Sequence, residues 1–415
     1  MKVLYVVGTN LRRNTSANIS HNAYVQGLLD NNCDVDIIMA SSSWGEEDSS
    51  LPEWDKANYY TYNSVSSIEN LKHYTKKIFD KKNQSNFRSN NIKGTILNKA
   101  RIHFKWKGYT RSFIKNIYTK IFNPNRLYNL NITWLKNASK FKKEREYDIV
   151  ISNSTPAASH KLVMDLLSKK HIKCKRWIQI WEDPWFFDLY AGHDEKVKQE
   201  EHRLLKAAKE IFYVSTLTLE YQKTHFKDCA HKMNHIPLPY LQMGENKPRN
   251  KSSVVHFGYF GDYFSITRNI VPFYQALIEI NGFGYIYGDS DLSLETTKTI
   301  EVCGRVTIDK LVSVQEKSDV LVHLCNVKGG QIPGKIYHYS ATTKPILFIL
   351  DGTPDEIVMI KSYFEKYNRF HFCNNNLEEI VSVMKSFTSG IEEFEKQPVS
   401  DFHPCQVISK LLNNK

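Results

Sequence analysis

The chain has 415 residues, a formal net charge of +12 and 41% hydrophobic residues, which at roughly 100–200 residues per domain predicts two domains with ordinary cores. Its cysteines, at 33, 174, 229, 303, 325, 373 and 405, are odd in number and scattered without a Cys-x-x-Cys pair, which excludes a zinc ribbon or a disulfide framework and fits a reducing cytosol. No apolar run reaches the roughly 20 residues that a membrane span needs, and MKVLYVVGTN is too short and too weakly basic for a signal peptide, so a cytoplasmic location is expected.

Strand and helix patterns alternate from the start, in the manner of a doubly wound α/β domain. Val3–Val7 is a strand, Gly8–Ile19 a loop carrying Thr9, Arg12 and Arg13, and Ser20 the expected N-cap of a helix; Val35–Met39 is the second strand. A basic insertion, about 66–145, interrupts the alternation. Leu71–Glu146 holds 20 Lys or Arg against Asp80, Glu144 and Glu146, interleaved with rings such as Phe104, Trp106, Tyr109 and Trp134. That mixture suits an anionic membrane surface; a helical insertion with solvated lysines is the competing reading, and no nucleic-acid module is present. Alternation resumes with the strand Asp148–Ser152, the helix Pro156–Ser168 and the strand Trp177–Ile180. The run WIQIWEDPWFFD then places Glu182 and Asp183 at a strand's carboxyl end, where a carboxylate can orient a hydroxyl or act as a base, or can simply cap a structural corner. A helix near Glu195–Ala208, the strand Ile211–Val214 and the helix Leu217–Phe226 complete a first domain over 1–240.

Prolines 237, 239 and 248 mark a linker, 241–252, before a second alternating domain over 253–395. Its expected strands are Val254–Phe257, Gly284–Tyr287, Val320–Leu324 and Ile346–Leu350; its expected helices are Ile266–Ile280, Ile308–Lys317, Gly334–Ala341, Pro354–Ile360 and Leu377–Phe387. FGYFGDYFSITRN carries Gly258, Gly261 and Arg268, the last of which also reads as a surface helix residue. The segment GGQIPGKIYHYSATTKPILFIL is the most informative: Gly329 and Gly330 permit close backbone approach, Pro333 and Gly334 open a short helix, and Lys335 and Tyr339 follow on it. A helix opening behind glycines favours an anion such as phosphate, and Lys335 is the cation carried on it. Residues 396–415 form a last helix.

Pro333, Lys335, Ile336, Tyr337, His338, Tyr339, Ala341, Lys344, Pro345 and Ile346 resemble the nucleotide-sugar loop of retaining GT-B glycosyltransferases, in particular the family 4 enzymes of bacterial capsule, O-antigen and exopolysaccharide synthesis. WEDPW also resembles a segment of the capsule-type members. The resemblance implies two Rossmann-like domains facing a cleft, with the last helix crossing back to the first domain. It implies transfer of a sugar from a nucleotide diphosphate sugar to a saccharide or lipid-linked saccharide at the inner membrane face, with no tightly bound cofactor and no metal. The resemblance further implies a glycine turn at Gly258 and Gly261 with Arg268 as a distal phosphate-binding cation, and Gly304 and Val306 resemble the turn that recognises the base. Two departures stand out. The family's glutamate pair is replaced by Gly330 and His338, leaving His338 as a possible ribose partner, and the cation usual beside the glycine turn is replaced by Asp262 or Tyr263. A GT-B nucleotide-sugar epimerase and a non-catalytic GT-B binding subunit are the alternatives.

Overall fold

The apolar runs of the chain form two parallel sheets. The computed structural model describes residues 1–41, 47–65, 126–128, 131–188, 194–241, 254–329, 331–390 and 396–414. The first sheet contains β1 (Lys2–Val7), β2 (Asp34–Ala40), β3 (Ala57–Tyr62), β4 (Glu146–Asn153), β5 (Lys173–Trp181), β6 (Glu210–Tyr213) and β7 (Met233–His235), in the order β3-β2-β1-β4-β5-β6-β7. The second contains β8 (His256–Phe260), β9 (Phe283–Tyr287), β10 (Ile300–Cys303), β11 (Val320–Leu324), β12 (Ile346–Leu350) and β13 (Phe370–Asn374), in the order β10-β9-β8-β11-β12-β13. The strand pairs with stated registers are all parallel, and strands such as β11 and β12 are buried throughout, as near-continuous hydrophobic runs in covered parallel sheets require. In both sheets the strand order reverses beside the first strand, so each presents a crevice at its carboxyl edge.

The edge strands β3, β7, β10 and β13 are not visible in the hydrophobic pattern, because they are short or only partly buried: β3, for example, has no fully buried residue. Helix α1 (Ser16–Asp30) begins earlier than the expected cap at Ser20. Thr15 is the N-cap, its hydroxyl accepting from the Asn18 N–H at 3.2 Å, and Ser20 lies inside the helix. Asn18, Ser20, His21 and Asn22 are buried on this helix, so its buried face contains polar groups where an amphipathic reading expects apolar ones.

Both sheets belong to one compact unit, Met1–Thr61 with Phe141–Lys415, and one buried apolar cluster runs through it from Tyr5 and Ile151 by way of Ile236, Leu238 and Tyr337 to Phe348 and Phe364. Tyr337 donates its hydroxyl to the carbonyl of Val214 at 3.2 Å, tying the second half to the first. The last helix, Pro404–Asn413, packs on α1. The Gly27 backbone sits so close to it that a Cβ would lie 2.4 Å from the Pro404 carbonyl oxygen and 2.6 Å from Ile408 Cγ1. Gly27→Ala is therefore expected to lose about 1–3 kcal/mol of stability by overpacking, read as a lower urea midpoint at unchanged slope. Unchanged stability would mean that this helix does not dock as described.

Residues Tyr62–Lys140 form a second unit, whose described part contains the helix Ile132–Ala138 and a bond from Asn137 Nδ2 to the Asn63 carbonyl at 3.0 Å. Most of the basic insertion, 66–125 and 129–130, lies outside the described residues, as do Gly330 and all of the expected linker 241–252 except Leu241. No described helix is long and apolar enough to cross a membrane.

Candidate active site

A cavity of about 210 Å³ lies between the two halves of the larger unit. Asn14, Thr15, Ser16 and Ile19 line it from the start of α1; Phe260, Gly261, Asp262, Tyr287, Gly288, Arg305, Val306, Leu311 and Lys335 line it from the second sheet's carboxyl edge. Its floor depends on two glycines. A Cβ on Gly288 would lie 2.0 Å from the Gly261 carbonyl oxygen, so only backbone fits between these loops.

Gly261, Val306 and Lys335, named from sequence, are in this wall. Burial lowers the Lys335 ammonium to about 8; the nearby Asp262 charge opposes the shift and Arg305 adds to it. The helix carrying Lys335 is shorter than expected, Lys335–Tyr339 against Gly334–Ala341. Its early amides are already used, Ile336 N–H bonding the Pro333 carbonyl at 3.3 Å and Tyr337 N–H the Gly334 carbonyl at 3.2 Å. Five residues carry little macrodipole, so anion attraction here rests on side-chain charge more than on the helix end.

The other sequence candidates are not among the residues that line the cavity. Gly258 does not form the expected turn: it lies inside β8, where a Cβ would meet Ser318 Oγ at 2.3 Å, because the strand starts two residues later than its hydrophobicity suggests. Arg268 lies in the loop before the helix Val271–Glu279, donating from Nε to Asn326 Oδ1 and from a terminal nitrogen to the Asp262 carbonyl, both at 2.8 Å. It thereby braces the loop that bears Asp262. Gly304 is exposed at the end of β10, next to Arg305. Gly329 has a left-handed φ of +103°, and its N–H is donated to Glu356 Oε1 at 3.1 Å. Gly334 packs near Leu238, and Tyr339 donates to the Phe260 carbonyl at 3.3 Å. His338 Nδ1 is buried without a hydrogen-bond partner, and burial, then the Lys335 charge, lower the imidazole to about 3, so it is neutral.

At the carboxyl end of β5 the two neighbouring acids have different surroundings. Burial pushes Asp183 up to about 7, with Asp188 adding; Arg268 and a hydrogen bond from Gln331 pull it back. Glu182 instead faces α1. Its Oε1 is 3.6 Å from His21 Nδ1, which shares a 3.0 Å hydrogen bond with the Tyr5 hydroxyl, itself 2.9 Å from Asn153 Nδ2. Burial, then Asp183, raises Glu182 well above the usual carboxylate range, while burial lowers His21 to about 3, so burial disfavours the charged form of both. The corner is held from behind by the buried Glu201, which accepts from Phe186 N–H at 2.8 Å, Trp185 N–H at 3.3 Å and Gln222 Nε2 at 2.9 Å. Sequence reading missed Glu201, His21, Gln331 and Arg305, none of which stands in a motif by itself.

In the first loop, Arg12 is engaged with Glu53 at 3.0 Å and Glu47 at 3.8 Å. Asp291 accepts from the Ser265 N–H at 2.7 Å and its hydroxyl at 2.6 Å. Among the described residues one group, His202, Asp228 and Cys229, has ligand atoms close enough for a metal ion. Asp228 is already bonded to His202 at 2.8 Å and to Lys206 at 3.1 Å, and the lysine charge opposes a cation.

Solved structures share this fold at low sequence identity. A glycosyltransferase from Rickettsia africae ESF-5 aligns over 100% of this chain and 93% of its own, at 13% identity and a TM-score of 0.51. A UDP-N-acetylglucosamine 2-epimerase aligns over 99% and 95%, at 10% identity and 0.53. An E. coli trehalose-6-phosphate structure bound with UDP-2-fluoro glucose aligns over 99% and 96%, at 10% identity and 0.52. The fold is GT-B. No protein-family model matches the sequence, and a search of curated proteins finds no match. In this GT-B chain the cavity lies beyond the carboxyl ends of β8, β9 and β10, the edge at which open parallel sheets bind ligands.

Proposed function

We propose that the protein transfers a sugar from a nucleotide diphosphate donor to a saccharide acceptor carried on lipid, with retention, in bacterial surface polysaccharide synthesis. One observation carries the reading: the cavity between the two halves has Lys335 in its wall, beside the glycine-bearing loops after β8 and β9. Breaking a sugar–diphosphate bond leaves charge on the diphosphate, and a fixed cation in a partly desolvated wall stabilises that charge as it develops. In a retaining transfer the leaving phosphate oxygen takes the acceptor proton on the face from which it departs. Asp183, when ionised, accepts a hydrogen bond from the attacking or donor hydroxyl and fixes its approach. The neighbouring E. coli structure is bound with UDP-2-fluoro glucose, which supports a uridine donor. The surplus of cations and rings in Leu71–Glu146 supports an anionic membrane face as the place of reaction.

The test is a panel of UDP, GDP and ADP sugars offered to the purified chain with and without lipid-linked saccharides, products being read by mass spectrometry. Transfer or slow hydrolysis of at least one donor is expected, unaffected by EDTA, and the protein should pellet with anionic liposomes but not neutral ones. No turnover of any donor would end the reading. A nucleotide-sugar epimerase needs acid–base groups around its donor, and the neighbouring carboxyls Glu182 and Asp183, both raised by burial, favour that second reading. Isomerised donor formed without acceptor would assign that activity instead.

A further inference from the structure

Lys335 and Arg305 are the cations among the residues that line the cavity, and Asp262 is the acid. A diphosphate brings at least two negative charges into that wall. Lys335 meets one of them; Asp262 repels both.

Arg305 stands beside this acid. One terminal nitrogen is 2.5 Å from Asp262 Oδ2, Nε is 3.5 Å from Asp289 Oδ2, and the Arg305 N–H donates to Asp289 Oδ1 at 3.2 Å. Asp262 has a second task, since its Oδ1 accepts the Asp289 N–H at 3.0 Å and so joins the loops after β8 and β9. The Arg305 side chain is 57% exposed, and its pairing with Asp262 is therefore a weak, solvent-screened one. A phosphate offers a guanidinium a bidentate, charge-assisted partner, which is the stronger interaction. The magnitudes thus favour sharing or transfer of the Arg305 fork from Asp262 to a diphosphate entering the cavity. The planar fork has five donors, so it can keep Asp289 while it does so.

We propose that Arg305 is the second diphosphate-binding cation of this chain, that Asp262 is its resting partner, and that their pairing sets how tightly the donor is held. The inference rests on the cavity being the donor site, and deepens that reading by assigning the charge that completes it.

The experiment is calorimetry of the full-length protein with UDP, GDP and ADP, and with the parent nucleoside of whichever binds. Arg305→Ala is expected to weaken the diphosphate roughly 10- to 100-fold at unchanged Tm, while the nucleoside is affected less than twofold. Arg305→Lys should recover part of the loss. Asp262→Asn keeps an acceptor for the Asp289 N–H and removes the repulsion, and should tighten the diphosphate several-fold. In that background Arg305→Ala must still weaken it. Three results overturn the proposal: Arg305→Ala within twofold of wild type, equal losses for nucleoside and diphosphate, or an Arg305 effect that vanishes once Asp262 is neutral. If the wild-type protein binds none of the three diphosphates, the donor-site reading falls with the proposal; if it binds one and Arg305 proves inert, the proposal alone falls.

Discussion

Lys335→Ala is expected to lower sugar transfer at least 100-fold, with little change in folding. The ammonium is in the wall of the interdomain cavity, and burial has brought it to about 8, so at pH 7 most molecules still carry the charge. Removing one preorganised electrostatic donor at a site of developing charge costs about 3 kcal/mol or more, which is at least two decades in rate. The loss should fall mainly on kcat if the charge is felt as the sugar–phosphate bond breaks, and mainly on KM if it is already felt in the bound donor. Lys335→Arg should retain more activity than Lys335→Met, because it keeps the charge in a bulkier, less well fitted form. The check is steady-state nucleotide release, with thermal melting as the folding control. More than a tenth of wild-type activity in the alanine variant would remove Lys335 from the mechanism.

The pH dependence of kcat/KM should be bell-shaped and narrow, with a rising limb near pH 7 and a falling limb near pH 8. Burial raises Asp183 to about 7, so its ionised, hydrogen-bond-accepting form appears only as pH passes that value. Lys335, lowered to about 8, loses its charge just above. Asp183→Asn should abolish the rising limb and reduce kcat by about 100-fold, in the range of a lost acid–base or orienting contact. The same acid leaves a mark on stability. Its folded value is raised above the ordinary 3.8, so the folded state binds the proton more tightly than the unfolded chain. This contribution is complete below about pH 4 and is lost as pH rises through about 7. Glu201, raised to about 6 by burial, acts in the same direction. Urea titrations at pH 4.5 and 7.5 should show that the wild type loses more stability over this interval than Asp183→Asn. A flat profile in both proteins, or a rising limb that survives the substitution, would mean that Asp183 is not the titrating group.

Much of the architecture was legible in the chain. The buried strands Val3–Val7, Val320–Leu324 and Ile346–Leu350 are continuous apolar runs between turn signals, and a parallel sheet covered on both faces demands that pattern. The resemblance of the segment around Lys335 led to the same GT-B fold that the solved structures display. The edge strands were hidden, since partial burial removes the constraint that makes a strand recognisable. Helix α1 was misplaced by several residues because its buried face carries Asn18, His21 and Asn22, which a hydrophobic pattern assigns to loop or solvent.

The candidate site divides in the same way. Lys335, Gly261 and Val306 stand in short local patterns and line the cavity. Gly258, two residues into its strand, shows how a small error in a boundary moves a residue from a turn into a core.

Local spacing determined the buried central strands, because side-chain periodicity and backbone preference act over a few residues. Pairings such as Arg305 with Asp262, Asp183 with Arg268 and Glu182 with His21 were decided only by tertiary structure. Their partners lie tens to more than a hundred residues apart, and the burial that shifts Asp183, Glu182 and His21 exists only once the sheets and helices pack together.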